Sequence, residues 1–485
     1  MKLATLSVLS DREVEDIHEA SLDVLERAGV RIRDSEMLRF LGMHGLRADG
    51  DEQVVRIPRS AVDDALAAAP AAFPVYDREG AFLYELGRGR PRIAAGHNAV
   101  FWVDSDTGET RRSTVADVEV FARICGQLEA IDMIGVPVMP HDVPDPRWTL
   151  LHAVRAVARN SRKPVFFSTD SPEVNRAVMR MLASVYPGDI QREPYGISQL
   201  SPTSPLSWEP GVLDALVDTV KAGTPVAILP EPNAGISAPY TLAGLLIVSN
   251  AEWLSGLVMA QLVRPGAPVM YANSWTTTDM RSGAACVGST ETTICRIAGA
   301  QLARHYRVPS HTTAPNSDNH AHDEQNAWEK AFSVLCAAAA GNDLIVNCGM
   351  FATGLTCSHE QLVMDEEMAA MSLRISGGIA VTDDTMATRL IVDEGPNGDG
   401  YLTSDHTLRW LRSTEYLMPR VSVRGAPAAW VAARSKDTYQ LARERARDLA
   451  ARPAPPLGAE RAARLDEILG RYGSTPSPPG GTLRE

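Results

Sequence analysis

Histidine, carboxylate and aromatic side chains recur just past short apolar runs of this chain, and their types narrow the chemistry it can support. The most conspicuous group is His320-Ala321-His322, with His311 nearby. Two imidazoles at that spacing can share a metal, as in metal-dependent barrel hydrolases. In those enzymes the pair follows the first strand and is completed by His and Asp from later strands. Here it follows the sixth apolar run, and the next histidine, His359, falls inside a helical stretch. No His-Glu-x-x-His, serine nucleophile elbow or phosphate loop occurs. No metal site is therefore expected, and a metal-dependent hydrolase using His320 and His322 stands as the alternative reading.

The remaining positions point to recognition of a small cation. Trp208, Trp275 and Phe351 follow apolar runs, although aromatic residues are only 6% of the chain. A ring face attracts an ammonium group by about 0.5–2 kcal/mol. Glu231 and Asp318 supply carboxylates, with amides such as Gln199, Asn233, Asn273, Asn316 and Asn347 beside them.

These residues need a scaffold, and the chain's periodicity predicts one. β-rich apolar runs occur at 132–138, 164–168, 195–200, 225–230, 268–273, 308–313, 344–348 and 378–382. Helical patterns fill the gaps between them, for example 148–160, 210–221, 241–263 and 358–374. Strands that alternate with helices must pair in parallel, because each crossover returns the chain to the same end. Eight such runs, with no G-x-G-x-x-G after the first, predict a (β/α)8 TIM barrel over 116–404. In a barrel the working residues lie beyond the C-terminal strand ends, which is where the groups named above fall, with Asp383 and Asp384 after the eighth run. Residues 1–115 read as an N-terminal α+β segment that starts with a helix over 10–28, its capping box formed by Ser10 and Glu13. A C-terminal helical extension (405–472) and a Pro/Gly/Ser-rich tail (473–485), expected to be disordered, complete the chain.

The net charge of −13 disfavours binding to nucleic acid or an anionic membrane. Six cysteines without C-x-x-C spacing read as reduced structural thiols. The first residues become charged and helical too soon for a secretory leader, and no run of about 20 uninterrupted apolar residues occurs. A cytoplasmic protein is expected.

Several segments resemble the trimethylamine methyltransferase family. They include HEASLDVLERAGVRI, VVRIPRSAVDDALAAAP, GHNAVFWVDSDTGETRRSTVADVEVFARI, the long stretch from TLAGLLIVSN to VGSTE, LTCSHEQLVMDEEM and DHTLRWLRS, and the similarity covers nearly the whole chain. The resemblance implies removal of a methyl group from a methylated amine and its transfer to the cob(I)alamin of a separate corrinoid protein. It thus implies a cognate corrinoid partner and no tightly bound cofactor; a homo-oligomer is expected. A relative using another acceptor, such as a folate, is the alternative within the family. Family sequences after the sixth run resemble T-D-S-K-x-P-D-x-Q-x-x-Y-E-K. Asp318, Asp323, Gln325, Glu329 and Lys330 keep that pattern, while His320 and His322 replace Lys and Pro. Trimethylamine enzymes of the family carry pyrrolysine, and every residue here is one of the twenty standard ones. The implied substrate is therefore a small quaternary amine of the betaine type.

Under that resemblance Glu231, Asp318 and His320 are the candidate catalytic residues. Phe101, Trp102, Trp275 and Phe351 are the expected aromatic cage, and His97, Asn98 and Asn273 the expected polar contacts. Phe101 and Trp102 are neighbours in a strand-like segment, so only one of them should face the site.

Overall fold

The computed structural model describes residues 6–49 and 52–473. Eight parallel strands form one sheet: β1 (Arg92–Ala95), β2 (Ile134–Gly135), β3 (Val165–Ser168), β4 (Gly196–Leu200), β5 (Val226–Ile228), β6 (Val269–Asn273), β7 (Ser310–Thr313) and β8 (Leu344–Cys348). β1 pairs with β8, and a parallel bridge from Ala94 to Met133 closes the ring, as expected of a (β/α)8 barrel. The crossovers are α1 (Val115–Cys125), α2 (Thr149–Asn160), α3 (Pro172–Val185), α4 (Pro210–Lys221), α5 (Leu242–Val263), α6 (Thr290–Tyr306), α7 (Glu324–Ala339) and α8 (His359–Gly377).

The strand count is right, but two assignments change. The first strand is Arg92–Ala95, inside the segment expected to precede the barrel, and the run at 132–138 supplies the second. The run at 378–382 forms no strand, and Ile379 and Val381 stand exposed. Both stretches have strand-like composition; what separates them is a partner. Arg92–Ala95 pairs in parallel with Leu344–Cys348, whereas 378–382 pairs with no strand among the described residues. Asp383 and Asp384 accordingly sit on a short exposed helix after α8, not past a strand end.

Alternate residues of each strand fill the lumen with Ala94, Met133, Phe166, Ile197, Ala227, Met270 and Val346. A hairpin, Phe73–Tyr76 with Phe82–Leu86, plugs one end by adding Phe73, Val75, Tyr84 and Leu86 to that cluster. It sits at the N-terminal strand ends, where Tyr76 N–H bonds Pro194 O ahead of β4 and Gly87 N–H bonds Asp343 ahead of β8. The β1–β2 junction is tight. A Cβ on Gly135 would lie 2.5 Å from the backbone oxygen of Gly96, which cannot move aside as a side chain could.

The outward strand faces pack on the helices. α5 is long and apolar enough to cross a membrane by composition alone, but 72% of its apolar window is buried. The N-terminal helices Asp11–Arg27 and Arg59–Ala68 cover it. Cys125, Cys295, Cys348 and Cys357 are buried free thiols, and Cys286 and Cys336 are half-buried. Two C-terminal helices complete the shell: α9 (Thr438–Ala451) packs on α8 and α1, and α10 (Ala459–Gly473) on α3 and α2. The expected tail, beyond Gly473, lies outside the described residues.

Candidate active site at the barrel mouth

Polar side chains from several strands gather toward the C-terminal strand ends. His97 follows β1 and meets the edge of Phe166 on β3, with ring centroids 5.0 Å apart. His311, from the middle of β7, stacks on Phe166 at 5.2 Å with planes 5° apart. Neither His311 nitrogen, nor Nδ1 of His97, nor Oε1 of Gln199 on β4 finds a hydrogen-bond partner in the protein. Such groups are rare in native interiors and call for an explanation, because leaving one unsatisfied costs about 1–3 kcal/mol. Burial drives the His97 pKa down to about 4; burial and then the neighbouring His97 drive His311 down to about 3. Both rings are thus neutral at pH 7, each with one N–H to donate.

Above this floor stands Glu231, past β5. It is open to solvent, accepts a 3.1 Å hydrogen bond from Ser201 Oγ, and has its pKa raised by the enclosing wall. Asn98, also exposed, holds φ +62° and reaches Ser168 O with Nδ2 at 3.4 Å. The site therefore pairs an acid near the opening with neutral donors below it.

Of the other expected residues, Phe101 reaches the opening and is 42% exposed, while its neighbour Trp102 is 1% exposed and wedged between Phe121 and His359. One of the two faces outward, as strand alternation requires. Three further positions are corrected. Trp275 is buried in the outer layer, where a Cβ on Gly299 of α6 would lie 2.8 Å from its ring. Asn273 lies on the same outer face and is satisfied by Thr312 Oγ1 (2.7 Å) and His311 O (3.0 Å). Phe351 is buried beneath His322, at 4.6 Å between centroids. The four-ring cage is therefore not assembled. Trp208 likewise lies in the outer core, with Nε1 donating to Ser255.

The segment after β7 is a brace. Asp318 accepts N–H groups of Val287 (2.9 Å) and Gly288 (3.0 Å) and the Thr353 hydroxyl (3.3 Å), tying the β6, β7 and β8 loops together; burial raises its pKa. Glu329 accepts from Ser317 Oγ and Asp318 N, and Asp323 caps α7. Lys330 is fully buried, donates to Pro315 O and Met350 O, and pairs with buried Asp365 at 3.1 Å. The residues that keep the family pattern thus hold the loops. His320 is exposed, with its N–H on Asn319 Oδ1. His322 packs against Phe351 and Tyr439, bonds Ser358 Oγ at 3.2 Å, and is driven by burial to a pKa of about 4. The two imidazoles are not gathered into a shared ligand set: among the described residues, no cluster of three or more His, Cys, Asp or Glu could hold a metal ion.

Sequence reasoning weighed His311 only as a neighbour of the His320/His322 pair and did not carry Gln199 forward, because it looked beyond the strands and not inside them. The signal available was parity, since both side chains fall on lumen-facing positions.

Comparison with known proteins agrees with this architecture. The sequence profile described as Trimethylamine methyltransferase (MTTB) matches residues 1–473. The chain is 32% identical to trimethylamine methyltransferase MttB of Desulfitobacterium hafniense (strain DSM 10664 / DCB-2), across 96% of this chain and 93% of the relative. It is 30% identical to glycine betaine methyltransferase of Desulfitobacterium hafniense (strain Y51), across 97% and 98%. Among solved structures, the Methanosarcina barkeri monomethylamine methyltransferase (MtmB) shares the fold with a TM-score of 0.55 at 12% identity, across 92% of this chain and 89% of that one. With the barrel and the full-length similarity in agreement, this chain belongs to the trimethylamine methyltransferase family.

Proposed function

We propose that this protein removes a methyl group from a small betaine-like quaternary amine and passes it to the cob(I)alamin of a separate corrinoid protein. The observation that carries the reading is the set of unpartnered polar atoms of His97, His311 and Gln199 inside the barrel, with Glu231 beyond the strand ends. A betaine presents the complementary pattern, a carboxylate at one end and a permanent cation at the other. His97 donates to the carboxylate, while Glu231 and the Phe101 ring stabilise the ammonium, leaving a methyl group directed outward. The absence of pyrrolysine and the similarity to a glycine betaine methyltransferase support the same choice.

Methyl transfer from a quaternary nitrogen is an in-line displacement, and the corrinoid supplies its nucleophile. The chain's own task is to hold the amine in one orientation and keep water from it. The rim suits a docking partner, because Phe101, Ile236, Tyr240, Met280 and Leu355, from the loops after β1, β5, β6 and β8, are all exposed. The purified protein, supplied with a reduced corrinoid protein, should demethylate at least one of glycine betaine, proline betaine, carnitine and choline, read as methylcobalamin absorbance and the tertiary amine that remains. Turnover of none of them sinks the betaine reading. Turnover with a folate as acceptor and no corrinoid requirement sinks the partner.

A further inference from the structure

α5 carries a carboxyl group that the proposed chemistry does not use. Glu252 is fully buried, and its two oxygens are taken by the loop after β4, one by Ser204 Oγ at 2.8 Å and one by the N–H of Leu206 at 2.8 Å. That loop begins at Ser201, whose hydroxyl donates to Glu231 at 3.1 Å. It ends in the strand Ser207–Trp208, where Trp208 Nε1 donates to Ser255 Oγ and Ser255 Oγ to the backbone oxygen of Glu252. One turn of α5 therefore anchors a loop whose first residue touches the acid of the candidate site. Leu206 holds φ +53°, a left-handed conformation that a leucine keeps only where its surroundings fix it. Glu252 fixes its N–H, and the N–H of Arg31 fixes its C=O at 2.8 Å.

The place suits a neutral acid better than an ion. No Lys, Arg or His among the described residues pairs with Glu252, and two hydrogen bonds do not replace the water a carboxylate loses on burial. Burial raises its pKa from 4.5 to about 7, against the pull of those two bonds. With a proton aboard, the carboxyl O–H can donate to Ser204 Oγ while the other oxygen accepts from Leu206. Charged groups on the surrounding elements stand apart. Asp63 and Asp64 on Arg59–Ala68, Asp214 on α4, Glu291 on α6 and Arg31 beside the loop are exposed. His18 on Asp11–Arg27 bonds Tyr306, buried Arg296 on α6 bonds Val287 O, and Arg33 pairs with Glu209 at 3.3 Å. None of them lies close enough to shift Glu252.

We infer that Glu252 is a positioning residue for the mouth: protonated, it latches the β4 loop and through Ser201 steadies Glu231, and ionised, it lets the loop loosen. The link to Glu231 rests on the methyl-transfer reading, whereas the latch does not. Opening the loop returns Glu252 to water, where it ionises as an ordinary glutamate. Opening thus releases a proton, and it becomes easier as pH rises from about 4.5 to about 7.

Hydrogen exchange of the full chain, read by mass spectrometry and corrected for intrinsic exchange at each pH, tests the latch without any ligand. Protection of residues 203–207 should fall at least tenfold between pH 5 and pH 7 and level off above, one proton allowing at most about tenfold per pH unit. E252Q should keep the loop protected at both pH values, because its amide donates to Ser204 Oγ and accepts from Leu206 as the protonated acid does. S204A, at a half-buried loop position, should lower protection at pH 5 about fivefold by removing one of the two bonds. In the demethylation assay, wild-type turnover should decline across the same pH window and E252Q should not. Wild-type protection that is level from pH 5 to pH 7, or that falls equally in E252Q, overturns the latch. Turnover that declines alike in both proteins overturns the link to Glu231. A protein that demethylates no amine yet shows this exchange pattern keeps the latch, and the failure then falls on the methyl-transfer reading.

Discussion

Replacing His311 with phenylalanine should make the protein more stable and less responsive to its ligand. The imidazole is fully buried, stacks on Phe166, and has two nitrogens without a partner. A phenyl ring keeps the stacking and removes the desolvated polar atoms, worth about 1–2 kcal/mol at pH 7. The pH dependence gives a sharper signature. His311 has its pKa depressed from 6.5 to about 3, so below pH 6.5 the unfolded chain takes up a proton that the folded chain refuses. Stability held by the neutral ring is complete above pH 6.5 and is lost as pH falls toward about 3. At 1.36 kcal/mol per pH unit, His311 alone accounts for a loss of about 2 kcal/mol between pH 7 and pH 5. Urea denaturation of wild type and H311F at both pH values measures the difference, with a shallower acid loss expected in the variant. Thermal shift with glycine betaine should in turn shrink, because the floor has lost a donor. A variant less stable at pH 7, with an unchanged acid slope and an unchanged ligand shift, would refute the assignment of His311 to a functional floor.

Three further outcomes follow from the same geometry. E231Q should weaken binding of quaternary amines about 5–30-fold, from an interaction of ~1–2 kcal/mol at a solvent-accessible carboxylate. It should not weaken binding of 3,3-dimethylbutanoate, the isostere that lacks the cation; calorimetry compares the two, and equal losses count against an ion-pairing role. Because the wall raises the Glu231 pKa, wild-type affinity for the cation should fall on acidification at a higher pH than an ordinary glutamate would give. K330M strands buried Asp365 and should cost about 3–5 kcal/mol in chemical denaturation, while K330M/D365L recovers most of it. W102A should lose ~3–5 kcal/mol of stability. F101A, one residue away at an exposed position, should stay within about 0.5 kcal/mol of wild type yet lower turnover with the methyl acceptor.

The barrel was legible because its helices are long and its buried strands read as apolar runs. The first strand was hidden by its length of four residues and by the turn-rich hairpin before it, while GIAVT at 378–382 had the better composition and no partner. Glu231 was named because it follows a strand end, whereas His97 and Asn98 were named only through the family resemblance, since the strand they follow was not recognised. Trp275, Asn273 and Phe351 were misplaced because position past a strand does not say which way a side chain turns. The direction depends on how each loop refolds, as when Trp275 drops onto Gly299 of α6. The reverse error hid His311, a polar ring in the interior of a strand that sequence reads as core. Asp318 and Lys330 fit the family pattern yet serve as struts, a role that only their contacts with three loops and with Asp365 disclose.

The hairpin that seals the barrel also imposes a kinetic order. Phe73, Val75, Tyr84 and Leu86 pack against the far end of the barrel interior, which leaves the mouth as the door a ligand uses. A partner seated on the rim would shut that door, so the amine must be aboard before the partner arrives, and the demethylated product can depart only after the partner leaves. The steady state should then follow a compulsory sequence: excess partner should inhibit by trapping the empty or product-bound enzyme, and a rising amine concentration should relieve that inhibition.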